Sequence, residues 1–210
     1  MLFRSREVGQ AIEGGWAGVG MGEAAMSIST KHLHAAAGRL ASLLNVLDVR
    51  VAFAESCTAG LVAASLARTP GISQWLCGSA VVYRDATKAA WLGVSTSELK
   101  KHSAVSDPVA RGMAAGVLRA TREAEWSASV TGHLGPDSPV DQDGVVFVSI
   151  ACRRARKIEV VSCERILLRA TSRSARQVEA SFHVCERLHA ALTERFAERV
   201  VAGVAKGVSK

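Results

Sequence analysis

The sequence predicts an α/β fold, a three-layer α/β/α sandwich built on a mixed sheet. Segments with apolar residues at helical spacing alternate with short apolar runs, the pattern of helices interleaved with buried strands. The apolar runs after Trp126 follow one another closely, which favours hairpins and therefore some antiparallel pairing. Aromatic residues make up only 5% of the 210 residues, while Ala, Val and Gly are abundant, and this mix suits close packing of helices on a sheet.

The first half of the chain alternates helix and strand. Leucines at helical spacing from Leu33 to Leu47 predict a helix capped by Thr30, and Val51–Glu55 is predicted to be a buried strand. A tight turn over 56–60 leads to a helix over 61–68, which Pro70 and Gly71 end. The next predicted elements are a strand over 76–83, helices over 85–92 and 97–102, and a helix with Ser106 as N-cap and Pro108 in its first turn.

The second half is predicted to hold most of the antiparallel strands. These cover 126–130, 145–151, 158–163 and 166–168, and a long final helix starts at Ser172 or Ser174. Six glycines interrupt residues 1–29, which we interpret as a flexible leader or as sequence upstream of a true start near Met26. The domain is therefore expected to span 30–199, and residues 200–210 are expected to fray.

Charge and cysteine usage narrow the class of protein. A net charge of +7 and a pI near 9.5 favour anionic partners, although the same charges could simply solvate helix faces and a basic tail. Lys and Arg are scattered along the final helix and the 153–157 turn rather than grouped on one face, so nucleic acid is an unlikely partner.

Five cysteines without a Cys-x-x-Cys pair, and histidines without His-Glu-x-x-His spacing, predict reduced thiols in a cytoplasm and neither a metal nor another cofactor. Apolar runs of about eighteen residues are missing from the sequence, so we expect no membrane span.

The first segment with chemically capable residues follows the strand Val51–Glu55. Ligands of open α/β sheets bind beyond the carboxyl ends of the strands. The hydroxyls of Ser56 and Thr58 and the main-chain N–H groups of this turn suit an anion, and the Glu55 carboxylate, at the end of an apolar strand, needs a partner or a role. The alternative is an ordinary Ser/Thr N-cap with a buried Cys57.

The second segment contains Ser73, Tyr83 and Lys88. A serine hydroxyl becomes a useful nucleophile when a positioned base removes its proton. A lysine whose pKa is lowered by burial can be that base, and a neighbouring tyrosine hydroxyl can relay the proton. The alternative is structural: Ser73 as a cap, Tyr83 as a half-buried strand end and Lys88 on a solvated helix face.

The third segment, 129–137, leaves a strand and enters a polar loop that reaches Gly144. Thr131 can offer its hydroxyl or its main chain to a substrate, and Gly132 and Gly135 permit close approach of a ligand to the backbone. The alternative is a Gly/Pro turn between two strands.

Read in order, these segments resemble one known family, the CinA C-terminal domain family of nicotinamide-nucleotide amidases. The resemblance covers about residues 32–196 and rests on these motifs: Ala-Glu-Ser-Cys-Thr-Ala-Gly (54–60), Pro-Gly-Ile-Ser (70–73), Val-Val-Tyr-Arg-Asp-Ala-Thr-Lys (81–88), Leu-Gly-Val (92–94), Ala-Val-Ser (104–106) and Val-Thr-Gly-His-Leu-Gly-Pro (130–136). It implies metal-independent hydrolysis of nicotinamide mononucleotide to nicotinate mononucleotide and ammonia, by a cytoplasmic homodimer with this small-molecule nucleotide as its substrate.

The same resemblance implies roles for individual residues. It gives Ser73, Tyr83 and Lys88 as a catalytic Ser–Tyr–Lys arrangement. The substrate-binding residues that it implies are Glu55, Ser56, Thr58, Asp85, Thr131, Gly132 and Arg173, the last of which suits a phosphate. Cys57, as a thiolate at a helix N-terminus, is a rival nucleophile.

Departures from the family pattern leave other functions open. Ala59 replaces the usual glycine, a change that a backbone with negative φ tolerates, and Asp85 replaces an asparagine one helical turn from Lys88. His133 and Leu134 also depart from the pattern. The alternatives are a catalytically degenerate homologue that binds a nucleotide or a protein partner in competence or the DNA-damage response, and a basic module that assists DNA uptake or repair.

Overall fold

Helical and strand periodicity set the order of elements in this chain, whose computed structural model describes residues 28–155 and 157–207. The α-helices are α1 (Thr30–Leu47), α2 (Leu61–Leu66), α3 (Asp85–Leu92), α4 (Thr96–His102), α5 (Asp107–Ala120) and α6 (Arg173–Gly207). The strands are β1 (Val51–Glu55), β2 (Leu76–Val81), β3 (Trp126–Gly132), β4 (Val145–Arg154) and β5 (Lys157–Leu167). Short 3₁₀ helices lie at Ile72–Gln74 and Val140–Gln142.

The strands form one mixed sheet in the order β2-β1-β3-β4-β5. β1 lies between β2 and β3 and runs parallel to both, while β4 runs antiparallel to β3 and to β5. The parallel pairs require crossovers, which the helices between β1, β2 and β3 supply, and the short connections after β3 permit antiparallel pairing. The predicted mixed sheet is confirmed.

Helices cover both faces of the sheet, which confirms the three-layer α/β/α architecture. On one face α1 and α6 pack against Phe53 and Val130 through a buried core that includes Leu40, Leu44, Leu188 and Leu192. On the other face α5 covers Ala52 and Ala54 with Val109, Met113 and Val117. β1 is buried along its whole length because it is covered on both faces and paired on both edges.

Several element boundaries differ from the sequence predictions. Ser29 rather than Thr30 is the N-cap of α1, and its main-chain N–H donates to His32 Nδ1 at 3.0 Å. The predicted strands over 158–163 and 166–168 are one strand, β5, because Glu164 and Arg165 continue the pairing with β4. β5 is an edge strand with many exposed positions, so polar residues do not interrupt it.

The ends of the chain bear on the predicted domain limits. Residues 1–27 and 208–210 lie outside the described residues, so nearly all of the segment interpreted as a leader is outside them too. α6 continues to Gly207. Of the described helices, not one is both long and apolar enough to cross a membrane.

Candidate functional site

The predicted site segments meet where β1, β2 and β3 end. Glu55, the last residue of β1, pairs with Val81 at the end of β2 and with Val130 near the end of β3. Beyond Glu55 the Ser56 N–H donates to the Val130 carbonyl at 3.0 Å, and the Val82 N–H donates to the Glu55 carbonyl at 2.8 Å. The segments that follow these strands therefore lie side by side at the carboxyl ends of the parallel strands, where open α/β sheets bind their ligands.

The Glu55 carboxylate is the centre of the turn after β1. It is 1% exposed and accepts hydrogen bonds from the hydroxyls of Thr58 (2.8 Å) and Ser79 (2.9 Å). It also accepts main-chain N–H bonds at 3.0 to 3.1 Å from Gly60, Val62 and Ala63. Glu55 thus caps α2 and ties it to β2, and a buried carboxylate with this many donors is stable there. Contrary to expectation, these three N–H groups are therefore not free for a bound anion.

The turn requires two left-handed residues in succession. Ala59 has φ +52° and Gly60 has φ +95°. The sequence-based expectation that Ala59 has a negative φ is therefore wrong, and an alanine in this region costs roughly 1 kcal/mol or more relative to glycine. The hydrogen bonds from the neighbouring N–H groups to Glu55 offset this unfavourable free energy.

Lys88 is buried beside this turn. Its side chain is 1% exposed, and its Nζ donates to the Tyr83 carbonyl at 3.4 Å and lies 3.6 Å from Asp85 Oδ1. Burial lowers the pKa of Lys88, while the Asp85 carboxylate and the nearby Cys57 thiol act in the opposite direction. The alternative that Lys88 lies on a solvated helix face is wrong.

Tyr83 and Arg173 join three segments of the site. Tyr83 is 51% exposed, and its hydroxyl accepts a hydrogen bond from Arg173 Nη2 at 2.5 Å. Arg173 Nη1 donates to the Gly135 carbonyl, also at 2.5 Å. The first residue of α6 thereby connects the end of β2 to the loop after β3, and it brings a guanidinium next to the only tyrosine of the sequence.

The Ser56 hydroxyl differs from the neighbouring hydroxyl groups in its hydrogen bonds. The Thr58 and Ser79 hydroxyls donate to Glu55, and the Thr131 hydroxyl donates to the Ala104 carbonyl at 2.8 Å. The Ser56 hydroxyl makes no hydrogen bond to any of the described residues, and the residue is 8% exposed. The charge of Lys88 acts on the thiol of Cys57, the residue after Ser56. Ser56 is therefore the uncommitted aliphatic hydroxyl of the turn.

Ser73 lies at the opposite end of β2. It is an exposed residue of the 3₁₀ helix Ile72–Gln74, and the next residue but one, Trp75, accepts a hydrogen bond from the N–H at the start of β1. The whole of β2 separates Ser73 from Tyr83, about 20 Å at roughly 3.3 Å per residue. Within one chain Lys88 contacts the main-chain carbonyl of Tyr83, and Ser73 lies away from both residues.

Cys57 is a buried structural residue. It is 4% exposed, and burial raises the pKa of its thiol to about 12. Its carbonyl accepts a hydrogen bond from Gln177 Nε2 at 3.1 Å, which ties α6 to the turn. A thiol with so high a pKa is a poor nucleophile near neutral pH, so the rival in which Cys57 attacks the substrate is not supported.

Packing explains Gly132. A Cβ there would lie 2.3 Å from Val146 Cγ1 and 2.9 Å from the Val145 carbonyl oxygen, so β4 leaves no room for a side chain. Thr131, beside it, is buried and its hydroxyl is used within the fold. Both residues shape the floor of the site rather than present free groups to it.

The loop after β3 is held by residues that the sequence did not single out. Arg176 forms a bidentate pair with Asp143, both bonds at 2.7 Å, and the Glu179 carboxylate accepts the N–H groups of Arg169 and Ala170. The pair with Arg176 lowers the pKa of Asp143. These contacts fix the approach to α6 and hence Arg173. Arg176 and Glu179 are three residues apart on α6, which in the sequence suggests a pair within the helix. The hydrogen-bond partners of their side chains lie outside the helix, so sequence patterns could not have found them.

Among the residues that the structure describes, no group of three or more His, Cys, Asp or Glu side chains is arranged to hold a metal ion.

The fold and the site together define an open α/β protein with a buried lysine and a carboxylate-centred turn at the carboxyl ends of its parallel strands. Comparison with known proteins places it further. The model of the CinA C-terminal domain family matches residues 33–206, and the chain belongs to this family.

Relatives of known sequence and structure agree with this assignment. A CinA-like protein of Myxococcus xanthus is 39% identical over 140 residues, which are 66% of this chain and 32% of that protein. A CinA-like protein of Mycobacterium marinum is 45% identical over 98 residues, 47% of this chain and 23% of that protein. The chain thus spans about a third or less of the length of these curated relatives.

Solved structures show the same fold. The competence/damage inducible protein CihA of Agrobacterium tumefaciens superposes with a TM-score of 0.70 at 28% identity, over 76% of this chain and 95% of that one. The competence damage-inducible protein A of Klebsiella pneumoniae gives a TM-score of 0.68 at 27% identity, over 79% and 97% of the two chains.

Proposed function

We propose that this domain hydrolyses the carboxamide of nicotinamide mononucleotide to nicotinate mononucleotide and ammonia. Membership of the CinA C-terminal domain family supports this reaction class, since some members are known as nicotinamide-nucleotide amidases. The observation that carries the proposal is Lys88, a buried lysine whose lowered pKa favours the neutral amine that a general base requires.

Ser56 is the nucleophile in this proposal. Its hydroxyl is uncommitted and lies in the turn beside Lys88, whereas Ser73, which the family resemblance implies, lies across the length of β2. The Ser56 oxygen attacks the carboxamide carbon while Lys88 Nζ accepts the hydroxyl proton. The C–N bond then breaks, the departing amine takes that proton and leaves as ammonia, and an ester on Ser56 remains. Water then adds to the ester while Lys88 Nζ accepts one of its protons. The bond between the acyl carbon and Ser56 Oγ breaks, Lys88 returns the proton to Oγ, and the carboxylic acid product leaves.

The turn also offers donors for the oxyanion of this step. Of its N–H groups, those of Ser56, Ala59, Gly60 and Leu61 donate within the fold. The Thr58 N–H makes no hydrogen bond to the described residues, and among them the Cys57 N–H interacts only with the thiol of its own residue. A main-chain N–H directly after the nucleophile is a common oxyanion donor in serine hydrolases. We assign this role to the Cys57 and Thr58 N–H groups.

Arg173 and Tyr83 complete the proposed site. A guanidinium has five donors, so Arg173 can bind the substrate phosphate while it holds Tyr83 and Gly135. Tyr83 relays protons next to Lys88. Glu55 and Thr58 act as positioning residues that shape the turn, and Thr131 and Gly132 form the floor of the site.

We also propose a cytoplasmic homodimer, as the family resemblance implies. Val81 (39% exposed), at the end of the edge strand β2, and Trp91 (60% exposed), on α3, are large apolar side chains that a second copy could cover. Sedimentation of the purified protein at micromolar concentration measures this directly, and a mass of one chain at all concentrations contradicts it.

The test of the proposed function is ammonia release from nicotinamide mononucleotide by the purified chain. We expect turnover by wild type, a loss of at least about a thousandfold in kcat for Ser56→Ala, and near wild-type kcat for Ser73→Ala. Activity that survives in Ser56→Ala but not in Ser73→Ala would assign the nucleophile to Ser73, supplied by another copy. Thermal unfolding of each variant verifies that it is folded.

A second function has one observation in its favour. The ion pair with Asp85 holds Lys88 toward its charged form, which opposes catalysis, so a nucleotide-binding homologue without turnover is the competing proposal. Calorimetric titration with nicotinamide mononucleotide distinguishes the two. Binding without ammonia release at any pH between about 6 and 11 supports the homologue, because this range includes the ordinary pKa of lysine, about 10.4.

A further inference from the structure

A cationic cavity lies near the start of β3, at the opposite end of the strands from the candidate site. It has a volume of about 800 Å³ and is lined by Arg119, Arg122, Arg153, Ala155 and Ile158. Arg153 is near the end of β4, and its N–H donates to the Glu125 carbonyl just before β3 begins. The candidate site lies beyond the other end of β3, so the two sites are separated by the length of the sheet.

Main-chain carbonyls anchor two of the three guanidinium groups. Arg153 donates to the carbonyls of Ala124 (3.2 Å), Thr121 (3.3 Å) and Leu118. Arg119 Nη2 donates to the Leu92 carbonyl at 3.2 Å. Since a guanidinium carries five N–H donors, each anchored group keeps donors for a ligand, and its position is set before the ligand arrives.

The third group, Arg122, is exposed and has no hydrogen bond or ion pair with any residue that the structure describes. It lies two residues after the end of α5, and Arg153 already donates to the Leu118 carbonyl in the last turn of that helix. Arg153 therefore compensates the partial negative charge at the end of α5. That charge does not explain why Arg119 and Arg122 are also there.

Of the carboxylates near this cavity in sequence, Glu123 is exposed next to Arg122, and two others are engaged elsewhere. Glu159 pairs with Arg154 at 2.9 Å, and Glu125 accepts the Arg50 N–H at 3.2 Å. The described residues that line the cavity include no acidic side chain. Three positive charges around one concave surface, without a negative charge in its lining, attract an anion and favour bidentate contacts to phosphate oxygens.

We propose that this cavity binds a phosphate-bearing small molecule about the size of a mononucleotide. The volume is within the range of small-molecule pockets, and Ala155 and Ile158 supply an apolar wall against which a base or sugar can pack. The arginines supply the phosphate contacts. This site is distinct from the one at Lys88 and does not depend on the proposed hydrolysis.

The experiment is calorimetric titration of the full chain with AMP and with inorganic pyrophosphate at low and moderate salt. We expect binding that weakens as salt rises, because guanidinium–phosphate contacts are screened. Arg119→Gln combined with Arg122→Gln should weaken binding of both probes at least about tenfold. Arg153 is left intact because its bonds cap α5. Arg68→Gln, at another exposed arginine outside the cavity, is the matched control and should bind as wild type does.

Three results overturn the proposal. The first is unchanged affinity in the Arg119/Arg122 double variant, provided that its thermal unfolding matches wild type. The second is loss of binding in Arg173→Gln, which would put the probes in the candidate site. The third is the failure of both probes to bind wild type at millimolar concentration. Retention of binding in Ser56→Ala and Arg173→Gln, with loss in the double variant, supports it.

Discussion

Replacing Asp85 with asparagine tests the proposed role of Lys88 as a base. Asp85 Oδ1 lies 3.6 Å from Lys88 Nζ, one helical turn away on α3. Burial lowers the pKa of Lys88, and the Asp85 carboxylate raises it. Asparagine has nearly the same shape without the charge, so in Asp85→Asn burial acts with less opposition and the pKa of Lys88 falls further.

Coulomb's law sets the scale of the effect. Two unit charges at this separation attract by about 1 kcal/mol in a dielectric of 80 and by about 5 kcal/mol in one of 20. The Asp85 side chain is 58% exposed, so solvent screening selects the lower figure. An energy of about 1 kcal/mol moves the acid limb of the pH–rate profile by somewhat under one pH unit.

The assay is kcat/KM for ammonia release from nicotinamide mononucleotide as a function of pH. The rate rises with pH as Lys88 loses its proton, and the rise should begin at lower pH in Asp85→Asn, with about fivefold higher activity on the acid side. Asp141→Asn, which removes an exposed carboxylate outside α3, is the control and should leave the profile unchanged. Superimposable profiles for wild type and Asp85→Asn, or a shift to higher pH, would refute the reasoning.

Chemical denaturation tests three further predictions about the site. Ala59→Gly should stabilise the fold by about 1 kcal/mol because Ala59 has φ +52°, and an unchanged midpoint would show that the turn carries no strain. Gly132→Ala should destabilise by at least about 1–3 kcal/mol, because its Cβ would overlap Val146, and wild-type stability would contradict that packing. Lys88→Met should abolish turnover yet stabilise by about 1–3 kcal/mol at neutral pH. The lowered folded-state pKa of Lys88 makes this gain largest at low pH and smaller as pH rises through that pKa, so a gain that grows with pH would contradict it.

Most of the fold was predictable because its determinants are local. β1 and α3 have the bounds that the apolar pattern and the flanking residues predict, and the close spacing of strands after Trp126 correctly indicated antiparallel pairing. The joined strand β5 was missed because an edge strand tolerates the polar pair Glu164–Arg165, which interrupts the apolar pattern without interrupting the hydrogen bonds.

The site was predictable in part. Sequence placed Glu55 at the end of β1 and Lys88 in the helix after β2, and the segments that follow these parallel strands do meet. The family resemblance added Arg173, at the start of α6. Sequence could not show that the Glu55 carboxylate accepts hydrogen bonds from α2 and β2, because those contacts depend on the three-dimensional conformation of the turn. Arg173 reaches Tyr83 only through the packing of α6, which no local pattern encodes.

The separation of Ser73 from Tyr83 follows from the strand that sequence itself predicts between them. An extended strand holds its two ends apart by its full length, so residues ten apart on either side of β2 cannot share a proton within one chain. Residues after neighbouring parallel strands, by contrast, meet whatever their distance in sequence. Ser56 and Lys88 follow β1 and β2 in this way.

Glu55 turns this proximity into a specific chemical arrangement. By accepting the N–H groups of Gly60, Val62 and Ala63, it fixes the start of α2 and uses the donors that would otherwise bind an anion there. The donors that remain are at Cys57 and Thr58, immediately after the one uncommitted hydroxyl of the turn. In the proposed mechanism, the hydrogen bonds of the buried Glu55 carboxylate leave the Ser56 hydroxyl as the nucleophile. For this reason we place the proposed chemistry at the turn after β1 rather than at the serine before β2.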